Sequence, residues 1–566
     1  MQRSSRGLAS FAPSPEVALL LLAVVACSWP YVSLLDRWPQ TTDGALWITR
    51  SALTNPHWFD WDCCRPHFVF YRPIVALSYT LSYALGGLDP FVYRLSDILL
   101  HLGSGGLVYV LYRELRPGNA RWGAAVAAAL FLLHPAAEEV VPVIARRGYG
   151  LMTFFGAASA IAFVRACRRD RILSLPAAAA ALAFAAAVLS TEVNFVLVPM
   201  YPILAYHLVG SRRRSPLRPL AICALPLLTA VGIYGLRLAI LGDHGGYGAE
   251  TDWARRLAIV QEAWRSLLFP GSARGERGFP SLAGLGWAAV IAYYAWRGAL
   301  QPLGRLRSQE ARLPLVLLIW TGGYFALSAV FGVWFDRQAY PALVPFSLLV
   351  ASTFQDTWRH RDSMRPIFGV LHGVPQVLLL LYWVVPAPAF RGLDPDVDGA
   401  RANRHARMQA LDRDLAQVQE PAVVFLVLPR EIPVRPNPLW SPSVTWQMSL
   451  TRYWMATLHA DREIRFRNLA LVEPRPGGPP AVVNVDRGGR MALIFSDSAA
   501  PQFPGGRNLL ARQTDLGAGI LWLDRLPVDD GVNGYVYSYE GTRGHLLPIR
   551  SGGEHSGRGK VLEEGT

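Results

Sequence analysis

Apolar runs recur along this chain at 17–35, 91–112, 122–135, 149–165, 172–190, 193–209, 217–241, 281–298, 313–332, 340–354 and 366–386. Helical runs of about 18 or more such residues are long enough to cross the hydrocarbon core of a bilayer. The expected architecture is a polytopic α-helical membrane protein of about eleven transmembrane helices. The run 122–135 is short, and 70–88 reads as a further, half-buried helix. Composition agrees. Of 566 residues only 17% are charged, against about 25% in soluble domains.

The net charge of +14 calls for an explanation. Nearly all of the basic residues are arginine, Lys560 being the one lysine. They gather in the short links RELRPGNAR (113–121), RACRRDR (165–171), GSRRRSPLR (210–218), RGALQPLGRLRSQEAR (297–312) and QDTWRHRDSMR (355–365). With the spans above, these links share one side, and an excess of arginine marks that side as cytoplasmic. This distribution argues against nucleic acid as partner. The N-terminus then starts inside, and the loops 36–90, 134–148 and 242–280 and the tail after 387 lie outside. The basic, then apolar start resembles a signal peptide. No small-residue cleavage site fits before Asp36, so it is read as the first span.

Beyond about residue 391 the pattern changes. A polar helical stretch, DPDVDGARANRHARMQALDRDLAQVQEP, precedes AVVFLVLP (421–428), RMALIFSD (490–497), GILWLD (519–524) and GYVYSYE (534–540), which read as strands between Pro/Gly-rich turns. The expected division is a membrane domain over 1–390, an extracytoplasmic α/β domain over 391–550 and a disordered tail over 551–566. Of five cysteines, Cys27, Cys167 and Cys223 fall in or beside apolar runs and read as packing residues. Cys63 and Cys64 are adjacent, and neither CxxC nor Cys/His metal spacing is present.

Polar groups at the outer ends of the spans are the informative set. Asp43 follows the first span, and His134, Glu138, Glu139, Arg146 and Arg147 lie in HPAAEEVVPVIARRGYGL. Glu192 separates two apolar runs almost without a loop, and Arg337 and Tyr340 lie in DRQAYPALVPF. Ionisable groups at membrane depth are costly and usually face a protein cavity. Arginine offers a fixed fork of donors to phosphate oxygens. A carboxylate orients or deprotonates a hydroxyl. Together they suggest a site for a phosphorylated lipid and a hydroxyl nucleophile. The plainer reading of any one of them is a span end meeting water and headgroups. Asp60 and Asp62 read as a solvated loop, and the aromatics of 58–71 as an interfacial belt.

The order of these segments resembles the GT-C class of membrane glycosyltransferases, and most of all the membrane half of the enzymes associated with tetratricopeptide repeats and related to protein O-mannosyltransferases. FYRPIVALSYTLSYALGGLDPFVYRLSDILLHLGSGGLVYVLYREL (70–115), HPAAEEVVPVIARRGYGL, LSTE (189–192) and DRQAYPALVPFSLL (336–349) carry the likeness, over roughly 40–355. Thr42-Asp43-Gly44 stands where paired acids are frequent, Ala137 replaces a second His, Tyr149 stands where an acid is common, and Thr191 replaces Lys.

The resemblance implies inverting transfer of a sugar from a polyprenyl-phosphate donor to an extracytoplasmic acceptor hydroxyl, on protein, glycan or lipid. Asp43 would be the catalytic base. Tyr71, Arg72, His134, Glu139, Arg147, Glu192, Arg337 and Tyr340 would bind substrate. Arg337, assisted by Arg72 or Arg147, would stabilise the leaving lipid phosphate. No resident cofactor and no metal site are expected, with dependence on a divalent ion left open. The partners are then the bilayer, the lipid-linked donor and the acceptor, in a bacterial plasma membrane. Two rival readings stand beside this: a flippase for lipid-linked glycans, which would need arginines along a path through the bundle, and a non-catalytic assembly protein whose outer domain acts.

Overall fold

The structure, a computed structural model, describes residues 14–38, 47–48, 71–118, 120–169, 173–209, 221–241, 250–268, 309–332, 334, 336–359, 395–428, 454–470, 482–485, 491–495, 509–513, 519–523, 531–540 and 543–549. The chain divides into two compact units, 1–37 with 54–394 and 38–53 with 395–566.

The described part of the first unit is helical: α1 (Pro15–Val32), α2 (Pro73–Gly86), α3 (Pro90–Leu115), α4 (Arg121–Leu133), α5 (Arg147–Arg169), α6 (Leu175–Ser190), α7 (Leu197–Val209), α8 (Ala224–Leu241), α9 (Trp253–Leu268), α10 (Gln309–Val330) and α11 (Ala339–Arg359). Local sequence sets several of the starts. Proline opens α1, α2 and α3, where its fixed φ suits the helix and its missing N–H would have had no helical partner. Asp89 caps α3 by accepting from the Phe91 N–H at 2.9 Å, and Ser174 caps α6 through the Ala177 N–H.

Among the described residues five segments are long and apolar enough to cross a membrane: Pro15–Val32, Pro90–Leu115, Ile144–Arg169, Ala224–Leu241 and Arg312–Val330. Four shorter apolar helices accompany them. This is a multi-pass membrane chain. The run at 70–88 does form a helix, α2. The expected spans 281–298 and 366–386 lie outside the described residues. Within the outer loop expected at 242–280, the sequence reading anticipated no helix, yet α9 is there.

Small residues let these helices approach closely. α5 packs along the alanine-rich α6. A Cβ at Gly156 would sit 2.6 Å from the Asn194 side chain, whose Nδ2 donates to Met152 O at 2.8 Å and whose Oδ1 accepts from Tyr324 at 2.9 Å. Many polar groups of the core find a protein partner in this way, since hydrocarbon offers no water to replace one. Tyr112 donates to Gln355 at 2.6 Å, and Ser159 donates to Ala180 O at 2.6 Å beside the Tyr201 hydroxyl.

One end of this bundle is tied together by arginines. Arg94, at the start of α3, donates to Arg37 O just past α1 and to Pro142 O just before α5. At the other end of α3, Glu114 receives Arg165 and Arg168 from the end of α5.

The described residues of the second unit contain α12 (Pro395–Leu415) and eight strands: β1 (Ala422–Leu428), β2 (Ile464–Ala470), β3 (Val482–Val485), β4 (Met491–Phe495), β5 (Leu509–Gln513), β6 (Gly519–Leu523), β7 (Asn533–Glu540) and β8 (Arg543–Ile549). One sheet has the order β2-β1-β7-β8, with β1 parallel to both neighbours and β8 returning antiparallel on β7. The other, β3-β4-β6-β5, is antiparallel throughout. Val424 and Leu426 share one face of the first sheet with their register partners Tyr535 and Tyr537, and Val536 lies on the other with Phe425; all are buried, as are Leu411 and Leu415 of α12. Tyr537 donates to Asp414 at 2.8 Å. Trp38 also belongs to this unit. Its N–H donates to His405 Nδ1 at 3.2 Å, and its ring lies 5.8 Å from that of the buried Trp454.

Candidate functional site

The end of the bundle bound together by Arg94 is where α6 stops, α7 begins and α2 starts. α6 ends at Ser190, Thr191 is extended, and a 3-10 turn (Glu192–Val196) leads into α7. This break projects Glu192 sideways toward Arg72, the residue preceding α2. Arg72 grips it at two points, Nη2 to Oε1 at 2.8 Å and Nε to Oε2 at 3.3 Å. Such a fork is the strong form of the arginine–carboxylate bond. Arg237, near the end of α8, places Nη1 3.7 Å from Glu192 Oε2 and donates to Tyr71 O at 3.2 Å. Burial pushes the Glu192 carboxyl up, but Arg72 first and then Arg237, with the hydrogen bond from Arg72, outweigh it and bring it down to about 2. It is therefore a carboxylate throughout the physiological range.

A second group forms where the 3-10 turns Pro135–Glu139 and Asp336–Gln338 pack on one another. Arg146 closes an ion pair on Glu139 at 2.6 Å. Arg337 donates from Nε to the Tyr149 hydroxyl at 3.3 Å, its guanidinium carbon 5.7 Å from the ring centre. That geometry suits a cation–π contact.

Three other residues singled out from sequence point into the protein instead. Arg147 is 1% exposed at its side chain and pairs with Asp97 of α3 at 2.7 Å. It also donates to Ser82 Oγ, Ser78 O and Tyr93 O, and lies over the Tyr79 ring. Its guanidinium ties α2, α3 and α5 together. His134 caps the turn at 135–139: Nδ1 accepts from the Ala136 N–H at 3.1 Å and Nε2 donates to Leu267 O at 2.9 Å. Tyr340 is fully buried and donates to His101 Nδ1 at 2.8 Å, while His101 Nε2 donates to Leu132 O at 3.1 Å. In this structure the ring nitrogens of His134 and the hydroxyl of Tyr340 are bonded within the bundle.

Tyr71 is buried beside the Arg72–Glu192 pair and contributes its carbonyl. Asp43, Asp60, Asp62, Cys63 and Cys64 lie outside the described residues. Cys27, Cys167 and Cys223 are buried free thiols. No group of three metal-ligating side chains occurs among the described residues.

Sequence reasoning missed Arg237 and Asp97. Both were legible in principle, since each is an ionisable residue inside an apolar run, a costly placement that asks for a partner.

Part of the chain is similar to protein O-mannosyl-transferases. It is 41% identical over 71 residues to Tmtc1 of Drosophila melanogaster, covering 12% of this chain and 8% of that protein. Over 98 residues it is 33% identical to human TMTC2, covering 17% and 11%. Over 86 residues it is 40% identical to tmtc2 of Xenopus laevis, covering 15% and 10%. The similarity thus spans about a tenth of the length of these relatives. No family model matches. Among solved structures, ArnT from Cupriavidus metallidurans aligns over 89% of this chain and 97% of its own, at 14% identity and a TM-score of 0.42. The Archaeoglobus fulgidus oligosaccharyltransferase aligns over 80% and 63%, also at 14% and 0.42.

Proposed function

We propose that this chain is an inverting glycosyltransferase that moves a sugar from a polyprenyl-phosphate donor to an acceptor hydroxyl on the outer side of a bacterial plasma membrane. The observation that carries this reading is the Arg72–Glu192–Arg237 cluster. Two guanidiniums are held ready on a carboxylate at the end of a membrane bundle, at the same end as Arg337. The names of the relatives, all protein O-mannosyl-transferases, support glycosyl transfer.

On this reading the donor's tail stays in the bilayer and its phosphate meets the arginines. Asp43 takes the acceptor's proton as the hydroxyl oxygen attacks the anomeric carbon. The bond from that carbon to the phosphate oxygen breaks on the opposite face, so the configuration inverts. The departing lipid phosphate is a weak base, and it needs charge stabilisation more than a proton. Arg337 and Arg72 supply it. Glu192 keeps Arg72 aimed before donor arrives, so little reorganisation is needed when charge develops.

The test is incubation of membranes containing the chain with a radiolabelled polyprenyl-phosphate sugar. Label should move into a protein, glycan or lipid acceptor as free polyprenyl phosphate is released. Movement of intact donor between leaflets with no release would replace this reading with that of a flippase. Neither release nor movement in the presence of cell-envelope acceptors would leave the non-catalytic assembly reading.

A further inference from the structure

Helix α9 (Trp253–Leu268) is set apart from the other helices of the first unit. It is 16 residues long, about 24 Å of helix, and it contains Arg255, Arg256, Glu262 and Arg265. It is too short and too charged to span. It follows α8 and precedes α10, and both of those carry outward-facing apolar side chains, Leu228, Val231 and Tyr234 on one and Leu315, Ile319 and Val330 on the other. These are surfaces that a bilayer covers.

The faces of α9 divide three ways. Ile259, Ala263, Ser266 and Leu267 are buried against the protein. Trp253 and Leu257, one turn apart, are 70% and 66% exposed. Trp264 continues that edge and packs edge-on to Phe325, with ring centres 4.9 Å apart. The remaining edge is polar or small: Arg255 reaches Glu250 at 3.1 Å, Arg265 pairs with Glu262, and Ala258 and Gln261 are exposed. Arg256 lies 4.8 Å from the centre of the Trp253 ring. A helix with one protein face, one aromatic and aliphatic edge and one charged edge fits the boundary between headgroups and acyl chains, where tryptophan is enriched.

We propose that α9 lies in that boundary, in the leaflet at the Glu192 end of the bundle, with Trp253 and Leu257 in contact with lipid. α9 packs on α10, and continuity with the lipid-facing side of α10 selects the bilayer as the occupant. Three bonds fix α9 at that end: Glu250 N–H to Val330 O at 2.8 Å, Trp334 Nε1 to Ser266 Oγ at 2.9 Å, and His134 Nε2 to Leu267 O at 2.9 Å. His134 caps the turn that carries Glu139, and Trp334 stands three residues before Arg337. The depth of α9 in the leaflet therefore sets the depth of both turns.

The test uses the full chain in nanodiscs, with a bimane label on Leu257→Cys or on the adjacent Ala258→Cys. Both positions are exposed, so neither substitution disturbs the core. The unsubstituted chain gives the labelling background. Doxyl groups near the top of the acyl chains should quench the label at 257 at least twofold, with iodide in the buffer having little effect. The label at 258 should show the reverse. Quenching of both by iodide alone would place α9 in water, and quenching of both by the doxyl lipid would submerge it; either result overturns the proposal. The readout needs no sugar transfer, so its failure leaves the glycosyltransferase reading in place, and the failure of that reading leaves α9 in the interface.

Discussion

Arg72 and Glu192, 120 residues apart in the chain, meet in a two-point bond at 2.8 and 3.3 Å. The bond joins the start of α2 to the break between α6 and α7, and Arg237 approaches the same carboxylate from α8. Glu192→Gln keeps the shape and removes the charge from between two guanidiniums. Breaking one side of a buried pair costs about 3–5 kcal/mol, and the partial exposure of this pair points to the lower end. The expected result is a lower melting temperature and lower turnover together. The pH dependence has a definite sign. The Glu192 carboxyl is depressed to about 2, so its stabilising contribution is full above the unfolded value and disappears as pH falls from there through about 2. The difference in melting temperature between wild type and Glu192→Gln should be constant from pH 6 to 8 and shrink below about pH 4. A difference that varies between pH 6 and 8 would show that another group controls the cluster.

Arg337 tests the site differently, because it stands at the outer end of the bundle, half-buried and in contact with the Tyr149 hydroxyl and ring. Arg337→Ala should lower turnover strongly with little loss of folded protein. Arg337→Lys should recover only part, since an ammonium lacks the planar fork. Equal turnover of wild type and Arg337→Ala on one donor removes this residue from the site.

Arg147 should behave in the opposite way. Its removal strands Asp97, which is 5% exposed at its side chain. Arg147→Ala should therefore fail in folding, by about 3–5 kcal/mol, seen as loss of the monodisperse peak in size-exclusion chromatography. Arg147→Ala protein that folds normally yet loses turnover would place Arg147 at the phosphate, as the resemblance implies.

The contrast between neighbouring Arg146 and Arg147 shows what a sequence can and cannot reveal. Hydropathy located most of the helices, because burial in lipid demands long apolar runs and little else. It also located the end of the bundle where charges gather. Direction was not legible. Arg146 reaches Glu139 and Arg147 turns inward to Asp97, and only the start of α5 decides which is which. α9 was missed because its apolar residues serve two edges and its charges break the run. In the second unit β2 was missed because arginines alternate with its apolar residues, and β8 because it contains Pro548, tolerated there on a sheet edge.

Orientation in the membrane is expected from the arginine-rich links. Reporter tags after Arg168 and after Arg213 should read as cytoplasmic, and tags near Gly246 and Gly505 as external. A cytoplasmic signal at Gly505 would mean an odd number of miscounted spans, and the second unit would then sit across the membrane from the acceptor.

Asp43 is the sharpest expectation. It lies outside the described residues, between Trp38 and Trp47, so kinetics must decide it. A positioned general base contributes about 100- to 10,000-fold. Asp43→Asn keeps the shape and hydrogen bonding but cannot take a proton, so turnover should fall by about that factor while donor affinity changes little. Asp43→Glu moves the carboxylate by one methylene, about 1.5 Å on ordinary bond lengths, and should be impaired as well because in-line attack tolerates little displacement. Asp60→Asn and Asp62→Asn are the controls and should stay near wild type. Near-normal turnover of Asp43→Asn ends its role as base. Sensitivity at Asp60 or Asp62 instead would keep the glycosyltransferase reading and move the base further along the same loop.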